Sequence, residues 1–251
     1  MKLLNEGNSK TRKGEKLGWI TFGIHLAPAN LSGFNVCKDA SAGCAAACLN
    51  TAGRGAMSSV QKARIAKTRL FFTDKDAFLT QLHKEITAAI KKAEKKGMQP
   101  CFRLNLTSDL PWEKIKHEGK TMMEHFPQVQ FYDYSKIASR VSAFLASQSD
   151  PKSFGGAMLK AAQGGHKWPA NYHLTFSRSE NNQTLVQAIV ASCGNVAAVF
   201  RGELPETYLG RPVVNGDETD LRFLDPKGCI VGLVEKGLAK KDSTGFVLEP
   251  A

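Results

Sequence analysis

The strongest constraint on the fold is an alternation of short apolar strands with amphipathic helices, which recurs about five times along the chain. Strand patterns occupy 19–26, 100–106, 128–133, 171–176 and 195–200, and helix patterns occupy 57–71, 75–96, 112–125, 137–147 and 182–193. Strands that alternate with helices are typical of parallel sheets with helical crossovers. We therefore expect an α/β fold whose strands are mostly parallel.

The domain organisation predicted from the sequence is simple. Residues 1–16 are polar and basic and are expected to form a loose arm, whereas 17–251 are expected to form one barrel-like α/β domain. From about residue 205, short strands near 211–214 and 229–234 indicate a β extension. With 42% hydrophobic and 23% charged residues, the chain has enough apolar material for one core. Within the extension, Asp220 and Arg222 are predicted to form a structural ion pair.

The chain is strongly basic. Lys and Arg number 34 and Asp and Glu number 23, which gives a formal charge of +11. Such a balance favours acidic partners, and nucleic acid is the first of these. The alternative is that the charge only solvates the surface, as the run Lys91, Lys92, Lys95 and Lys96 suggests for one helix face.

Neither a membrane span nor a secretory signal is visible in the sequence. No apolar stretch reaches the roughly 18 residues that a bilayer requires, and the polar N-terminus lacks the apolar middle of a signal peptide. We therefore expect no membrane association and a cytoplasmic location. In a reducing compartment, six cysteines favour metal-binding or catalytic roles over disulfides.

Three of these cysteines lie close together in the loop that follows the first predicted strand. Cys37, Cys44 and Cys48 are spaced by six and three residues, and nearby glycines such as Gly33 give the backbone freedom to wrap around a ligand. Three thiolates on a short flexible loop suit a cubane iron–sulfur cluster, in which each iron takes one sulfur. Three ligands on four irons would leave one iron open to another molecule. The loop therefore predicts a metal centre, with a 4Fe–4S cluster favoured.

Two alternatives remain open at this point. Asp39 or His25 would complete a four-ligand zinc site, although no Cys-x-x-Cys pair is present. The cysteines would otherwise be small buried hydrophobes. The remaining cysteines, Cys101, Cys193 and Cys229, are expected to be structural.

Several segments carry a resemblance to a known family. They are SAGCAAACLNTAGRG (41–55), LNLTSDLPW (104–112), FYDYSK (131–136), HLTFSRSEN (173–181) and NGDETDLRFLDPKGCIVGLVEKG (215–237). Together they resemble a phage family described as gene-product-88-like. That resemblance implies a phage or prophage origin, and hence the cytoplasm of the host cell, but no particular reaction.

The first strand with its cysteine loop also resembles the radical S-adenosylmethionine (SAM) superfamily. That resemblance implies a partial (β/α) barrel and a 4Fe–4S cluster on three cysteines, whose open iron chelates SAM. Superfamily members usually show Cys-x3-Cys-x-x-Cys, whereas this chain reads CKDASAGCAAAC, with two wider gaps. The resemblance to this superfamily also implies a reductant such as a flavodoxin or a ferredoxin.

Polar residues after the later strands supply the candidate cofactor ligands, because chemistry gathers at the carboxyl ends of parallel strands. If SAM binds, Asp109 would take its ammonium group, Arg178 its carboxylate, and Ser177 and Glu180 its ribose or carboxylate. Lys136 would contact a phosphate or a carboxylate. The alternative for each residue is loop capping or an ion pair.

Three functions remain open on this evidence. The first is an iron–sulfur phage protein that cleaves SAM to act on an unknown substrate, or that holds its cluster without such chemistry. The second is a nucleic-acid-binding phage protein with a structural iron–sulfur or zinc centre. The third is a zinc-dependent hydrolase.

Overall fold

The computed structural model describes residues 1–7, 10–149 and 167–249. The strands are β1 (Leu4–Glu6), β2 (Trp19–Ile24), β3 (Gln99–Arg103), β4 (Lys116–His117), β5 (Lys120–Thr121), β6 (Gln130–Ser135), β7 (Tyr172–Ser177), β8 (Val196–Phe200), β9 (Thr207–Tyr208), β10 (Arg211–Asn215), β11 (Ile230–Val234) and β12 (Val247–Leu248). The helices are α1 (Ala42–Ala46), α2 (Ser58–Thr73), α3 (Lys75–Lys95), α4 (Met122–His125), α5 (Ala138–Gln148) and α6 (Gln183–Ala191).

One large sheet organises the fold, with the strand order β1-β2-β3-β6-β7-β8-β11-β10-β9. Neighbours from β2 to β10 are parallel, and the edge strands β1 and β9 are antiparallel to theirs. The short β12 pairs with the end of β8, beyond the point where β7 ends. The α/β class with a mostly parallel sheet is therefore confirmed. In the described residues the sheet keeps two edges and does not close into a barrel, so the radical-SAM barrel type stays a prediction.

The two faces of this sheet are covered differently. Strands β2, β3, β6, β7 and β8 stand side by side in chain order, and right-handed crossovers then put their helices on the same face. On that face Phe102 and Phe131 join the apolar side of α3, including Phe78, in the main core. The opposite face carries Tyr132 under Leu221, a residue of the C-terminal extension. The carboxyl ends of the parallel strands, which are followed by polar residues, lie together on one side of the sheet.

The segment 112–125 differs from the helix that its sequence predicts. It starts with a short turn at Trp112–Lys114, continues as the β4–β5 hairpin and ends in the four-residue α4. The hairpin turns at Glu118 and Gly119, both with positive φ, which interrupts any helix. A capping box then begins α4, because Thr121 and Glu124 exchange hydrogen bonds with each other's backbone N–H.

The N-terminal segment also differs from the loose basic arm that the sequence predicts over 1–16. Leu3 and Leu4 are buried, and β1 pairs with β2. Their backbone N–H groups donate to the Glu85 carboxylate on α3, while Lys67 Nζ donates to the Leu3 carbonyl at 2.9 Å. Burial of two adjacent leucines thus attaches this segment to the rest of the domain, although its overall composition is polar.

The other predicted strands and helices are confirmed, with shifts of at most three residues at their ends. In the part of the chain that the structure describes, no helix is both long and apolar enough to cross a bilayer.

Candidate metal centre

The three candidate metal ligands lie beyond the carboxyl end of β2. Cys37 is in the loop that leaves this strand, Cys44 is in α1, and Cys48 lies two residues after the end of α1. All three are free and half-buried. The short α1 forms where Ser41 caps it, since Ser41 Oγ accepts a hydrogen bond from the Cys44 N–H at 3.2 Å. Local capping therefore fixes the position of the middle cysteine.

The thiols influence one another electrostatically. Burial raises the pKa of Cys37 to about 11, and negative charge at Cys48, Asp109 and Cys44 acts in the same direction. Burial also raises the pKa of Cys48, again with a contribution from charge at Cys44. Because thiolates rather than thiols bind metals, a positive centre that displaced these protons would relieve the mutual repulsion.

Other groups around the sulfurs favour their charged form. Backbone groups at Ala29 and at Asn50 act to lower the pKa of Cys37 and of Cys48, respectively, against the larger effect of burial. The cations Arg64 and Lys136 act on Cys48 in the same direction. Hydrogen bonds to ligand sulfurs are one of the means by which proteins tune iron–sulfur clusters.

The arrangement can be compared with two kinds of metal site. As the described side chains stand, no three His, Cys, Asp or Glu residues converge closely enough to hold a single metal ion. The zinc site completed by Asp39 or His25 is therefore not assembled. In a cubane each thiolate binds a different iron, so the sulfurs stand farther apart than the ligands of one ion. Three free thiols that act on one another electrostatically supply the donor type that an iron–sulfur cluster takes.

Glu180, a predicted cofactor ligand, instead positions the helix that carries Cys44. Its Oε2 accepts a hydrogen bond from Ser41 Oγ at 2.6 Å, and its Oε1 accepts one from the Gly43 N–H at 2.7 Å. Partial burial acts to raise the pKa of Glu180, but these two hydrogen bonds outweigh it and hold the pKa below its ordinary value. Glu180, three positions after the end of β7, thus fixes the start of α1.

Asp109, Lys136 and Ser177 form a hydrogen-bonded row along the carboxyl edge. The Asp109 N–H donates to the Val36 carbonyl, beside Cys37, at 2.8 Å, and its carboxylate accepts from the Lys136 N–H at 2.8 Å. Lys136 Nζ donates to Ser177 Oγ at 2.9 Å. The structure therefore brings together residues predicted from three separate strand ends, although Asp109 is already engaged by backbone groups.

Arg178 holds the C-terminal segment rather than facing an open site. Its Nη1 donates to the Gly245 and Phe246 carbonyls at 2.5 and 2.8 Å, just before β12. The same segment covers α1 so closely that a Cβ on Gly43 would collide with Thr244 and Phe246. The C-terminal segment thus shields the cysteine helix, a feature for which the sequence carried no local signal.

The sequence also gave no indication of what fixes the far side of the cysteine loop. Asn50 Nδ2 donates to Gln61 Oε1 at 3.0 Å, and Gln61 Nε2 donates back to the Asn50 carbonyl at 2.8 Å. Arg64, also on α2, donates to Asn50 Oδ1. Amide and guanidinium groups on α2 thus hold the segment that follows Cys48.

We predict that Glu180→Ala loosens α1. Losing both hydrogen bonds should lower the free energy of unfolding by about 1 kcal/mol. This loss is small for a helix cap because the carboxylate is half-exposed and water replaces part of the interaction. Alkylation of Cys44 in metal-free protein, followed by mass spectrometry, should become several-fold faster. Glu235→Ala is the matched control, because Glu235 also accepts a backbone N–H, from Gly202, but away from the cysteines. An unchanged Cys44 rate in Glu180→Ala would contradict the positioning role.

The structure defines an α/β protein with a mostly parallel sheet and three free cysteines beyond the carboxyl end of β2. The sequence model of the gene product 88 family matches residues 2–250, so the chain belongs to that family. No curated protein and no solved structure matches the chain. The gene-product-88 resemblance is therefore confirmed, and the radical SAM resemblance stays a prediction from the sequence.

Proposed function

We propose that this protein binds an iron–sulfur cluster, of the 4Fe–4S type, through Cys37, Cys44 and Cys48. The observation that supports it is the arrangement of three half-buried free thiols, on one loop, whose charges act on one another. As thiolates, the three groups would repel one another, and a cationic cofactor would offset this repulsion. Three ligands leave one iron of a cubane without a protein sulfur.

The chain's own residues would prepare this site in three ways. Backbone groups at Ala29 and Asn50 favour the charged form of two of the sulfurs. Glu180 fixes the start of α1. The segment before β12 packs against Gly43 and restricts access of water to that side. Each of these contributions acts on geometry or electrostatics, the part that a protein supplies to a cofactor enzyme.

Within this proposal the cluster would supply an electron for the reductive cleavage of SAM, drawn from a flavodoxin or ferredoxin. The Lys136 ammonium and the Ser177 hydroxyl, bonded to each other beside the cysteines, are the groups best placed to meet a carboxylate. Asp109 and Arg178 are less suited to ligand contacts, because Asp109 accepts from Lys136 N–H and Arg140, and Arg178 donates to two carbonyls.

The decisive experiment is metal and sulfide analysis of protein purified without oxygen and without reconstitution. We expect brown protein with about four irons and about four sulfides per chain. Cys37→Ser, Cys44→Ser and Cys48→Ser should each lose most of this iron, whereas Cys193→Ser, at an exposed cysteine elsewhere, should keep it. Colourless wild-type protein without iron or sulfide would refute the proposal.

A second measurement separates a SAM enzyme from a protein that only holds a cluster. The iron-loaded protein would be reduced with dithionite in the presence of SAM, and 5′-deoxyadenosine would be measured. Its formation in wild type but not in Cys44→Ser supports the enzyme. A loaded cluster without any cleavage supports cluster binding alone.

The alternative function is nucleic-acid binding around a structural metal centre. Besides the charge of +11, exposed basic residues lie on the segments that border the cysteines, namely Lys38, Arg54, Lys240 and Lys241. Phosphate contacts from these residues would release counterions, so affinity should fall steeply with salt. Absence of binding to single- or double-stranded DNA and RNA at low salt would end this alternative.

A further inference from the structure

A group of three histidines lies outside the cysteine site and joins three separate elements. His83 is on α3, His117 on β4 and His125 at the end of α4. The ring centres of His83 and His125 are 5.0 Å apart, those of His117 and His125 6.0 Å, and those of His83 and His117 6.3 Å. All three side chains are half-buried, so ions in solvent can reach them.

These separations are close to those of a metal-bound triad. Three imidazoles on one tetrahedral zinc ion place their ring centres roughly 5 Å apart, given Zn–N bonds of about 2.0–2.1 Å. One pair already matches and the other two are wider by about 1 Å, so the side chains as they stand do not meet around one point. The terminal torsion of histidine is broad, and a small turn of partly exposed rings would close this gap.

Hydrogen bonding prepares at least one ring for a metal. The His125 Nε2 atom is 2.8 Å from the His117 carbonyl oxygen, which can only accept, so Nε2 carries the proton and Nδ1 keeps its lone pair. Metal-binding histidines typically donate their second ring N–H to a carbonyl or carboxylate in this way. Phe126 packs against His83, with ring centres 4.7 Å apart, and gives the cluster an apolar floor.

A carboxylate accompanies the three rings. Glu118 follows His117 at the tip of the hairpin and is close enough to act electrostatically on His83. It stands in the left-handed region, with a φ of 50°, at the turn of the hairpin whose strand β4 contacts α3. An anionic group beside three imidazoles complements a divalent cation.

We propose that His83, His117 and His125 bind one divalent ion of the zinc type and thereby fasten the β4–β5 hairpin and α4 to α3. Imidazole nitrogens suit zinc and its neighbours better than magnesium or calcium. The proposal does not depend on the iron–sulfur cluster, because the two sets of ligands share no residue.

The test uses the tag-free full chain carrying Cys37→Ser, Cys44→Ser and Cys48→Ser, titrated with Zn²⁺ alone in a calorimeter. We expect one Zn²⁺ per chain and a melting temperature that rises with Zn²⁺ concentration. His117→Ala, in the exposed hairpin, should weaken binding by at least about tenfold. His25→Gln, a half-buried histidine outside the triad, should leave the affinity unchanged.

Absence of binding, or equal affinity after His117→Ala, would overturn the proposal. Because the cysteines are absent from this chain, its result is separate from the iron analysis. If the cysteine variant fails to fold, the wild-type chain provides a second readout: Zn²⁺ should protect His83, His117 and His125 from diethyl pyrocarbonate while His25 stays as reactive as before. Equal modification with and without Zn²⁺ would contradict the site.

Discussion

Asp220→Asn is expected to lower the free energy of unfolding by about 3–5 kcal/mol, the cost of breaking a buried ion pair from one side. Asp220 is fully buried, and its carboxylate meets Arg103 Nη1 at 2.9 Å and Lys10 Nζ at 3.2 Å. The hydroxyls of Tyr132 and Tyr134 donate to it at 3.2 and 3.4 Å. The amide would remove the buried negative charge that Arg103 and Lys10 meet.

The same residue gives the stability a defined pH dependence. Burial acts to raise the pKa of Asp220, but Arg103, Lys10 and Arg222 outweigh it and hold the pKa far below its ordinary value of 3.8. A lowered carboxyl pKa contributes stability that is present above the unfolded value and is lost as the pH falls below it. Wild-type stability should therefore fall more steeply below about pH 4 than that of Asp220→Asn.

Urea unfolding at several pH values measures both effects. Asp217→Asn, in the same loop, is the matched control, because its partner Lys236 is half-exposed and the pair is worth about 1 kcal/mol or less. Equal losses in the two variants would show that the buried cluster contributes no more than a surface pair.

Arg140→Met is expected to cost a similar amount, about 3–5 kcal/mol, and to disturb the cysteine site as well. The Arg140 guanidinium donates to both Glu113 oxygens at 2.9 and 2.8 Å, to Asp109 at 2.6 Å and to the Tyr172 hydroxyl at 3.0 Å. Glu113 is 1% exposed, so the substitution would remove the guanidinium that forms its ion pair in the core. Methionine fills much of the volume but supplies no donor.

The effect should extend to the proposed metal centre through Asp109. This residue also accepts the Lys136 N–H, and its own N–H bonds to the Val36 carbonyl next to Cys37. We therefore expect Arg140→Met to retain less iron than wild type after anaerobic purification. Arg140→Lys should recover part of the stability, because lysine keeps the charge but loses the bidentate geometry.

Chemical unfolding and iron analysis on the same preparations check this expectation. Lys92→Met, which removes one of the two exposed lysines paired with Glu6, is the matched control and should change neither stability nor iron content measurably. If Arg140→Met is clearly destabilised but keeps the iron content of the wild type, the buried network around Arg140 does not influence the cysteine site.

The sequence by itself determined the elements whose signals are local. Strand and helix periodicity placed five parallel strands and the long helices α2 and α3, because burial on one face repeats every two or 3.6 residues. It also predicted that the ends of β3, β6 and β7 would lie beside the cysteine loop, because parallel strands direct their carboxyl ends to one edge. Contacts from Asp109 to Val36 and from Glu180 to Gly43 follow from that topology.

Only the tertiary structure decided what each of those side chains contacts. Glu180 bonds to Ser41 across 139 positions of sequence, and Asp220 to Arg103 across 117, so no local pattern specifies either pair. The sequence paired Asp220 with Arg222, whereas Arg222 forms its ion pair with Asp225. The hairpin at 116–121 and the three histidines were missed for the same reason. A buried polar side chain needs a hydrogen-bond or ion-pair partner to offset the free-energy cost of its burial. Which partner is within reach is decided only when distant segments have packed together.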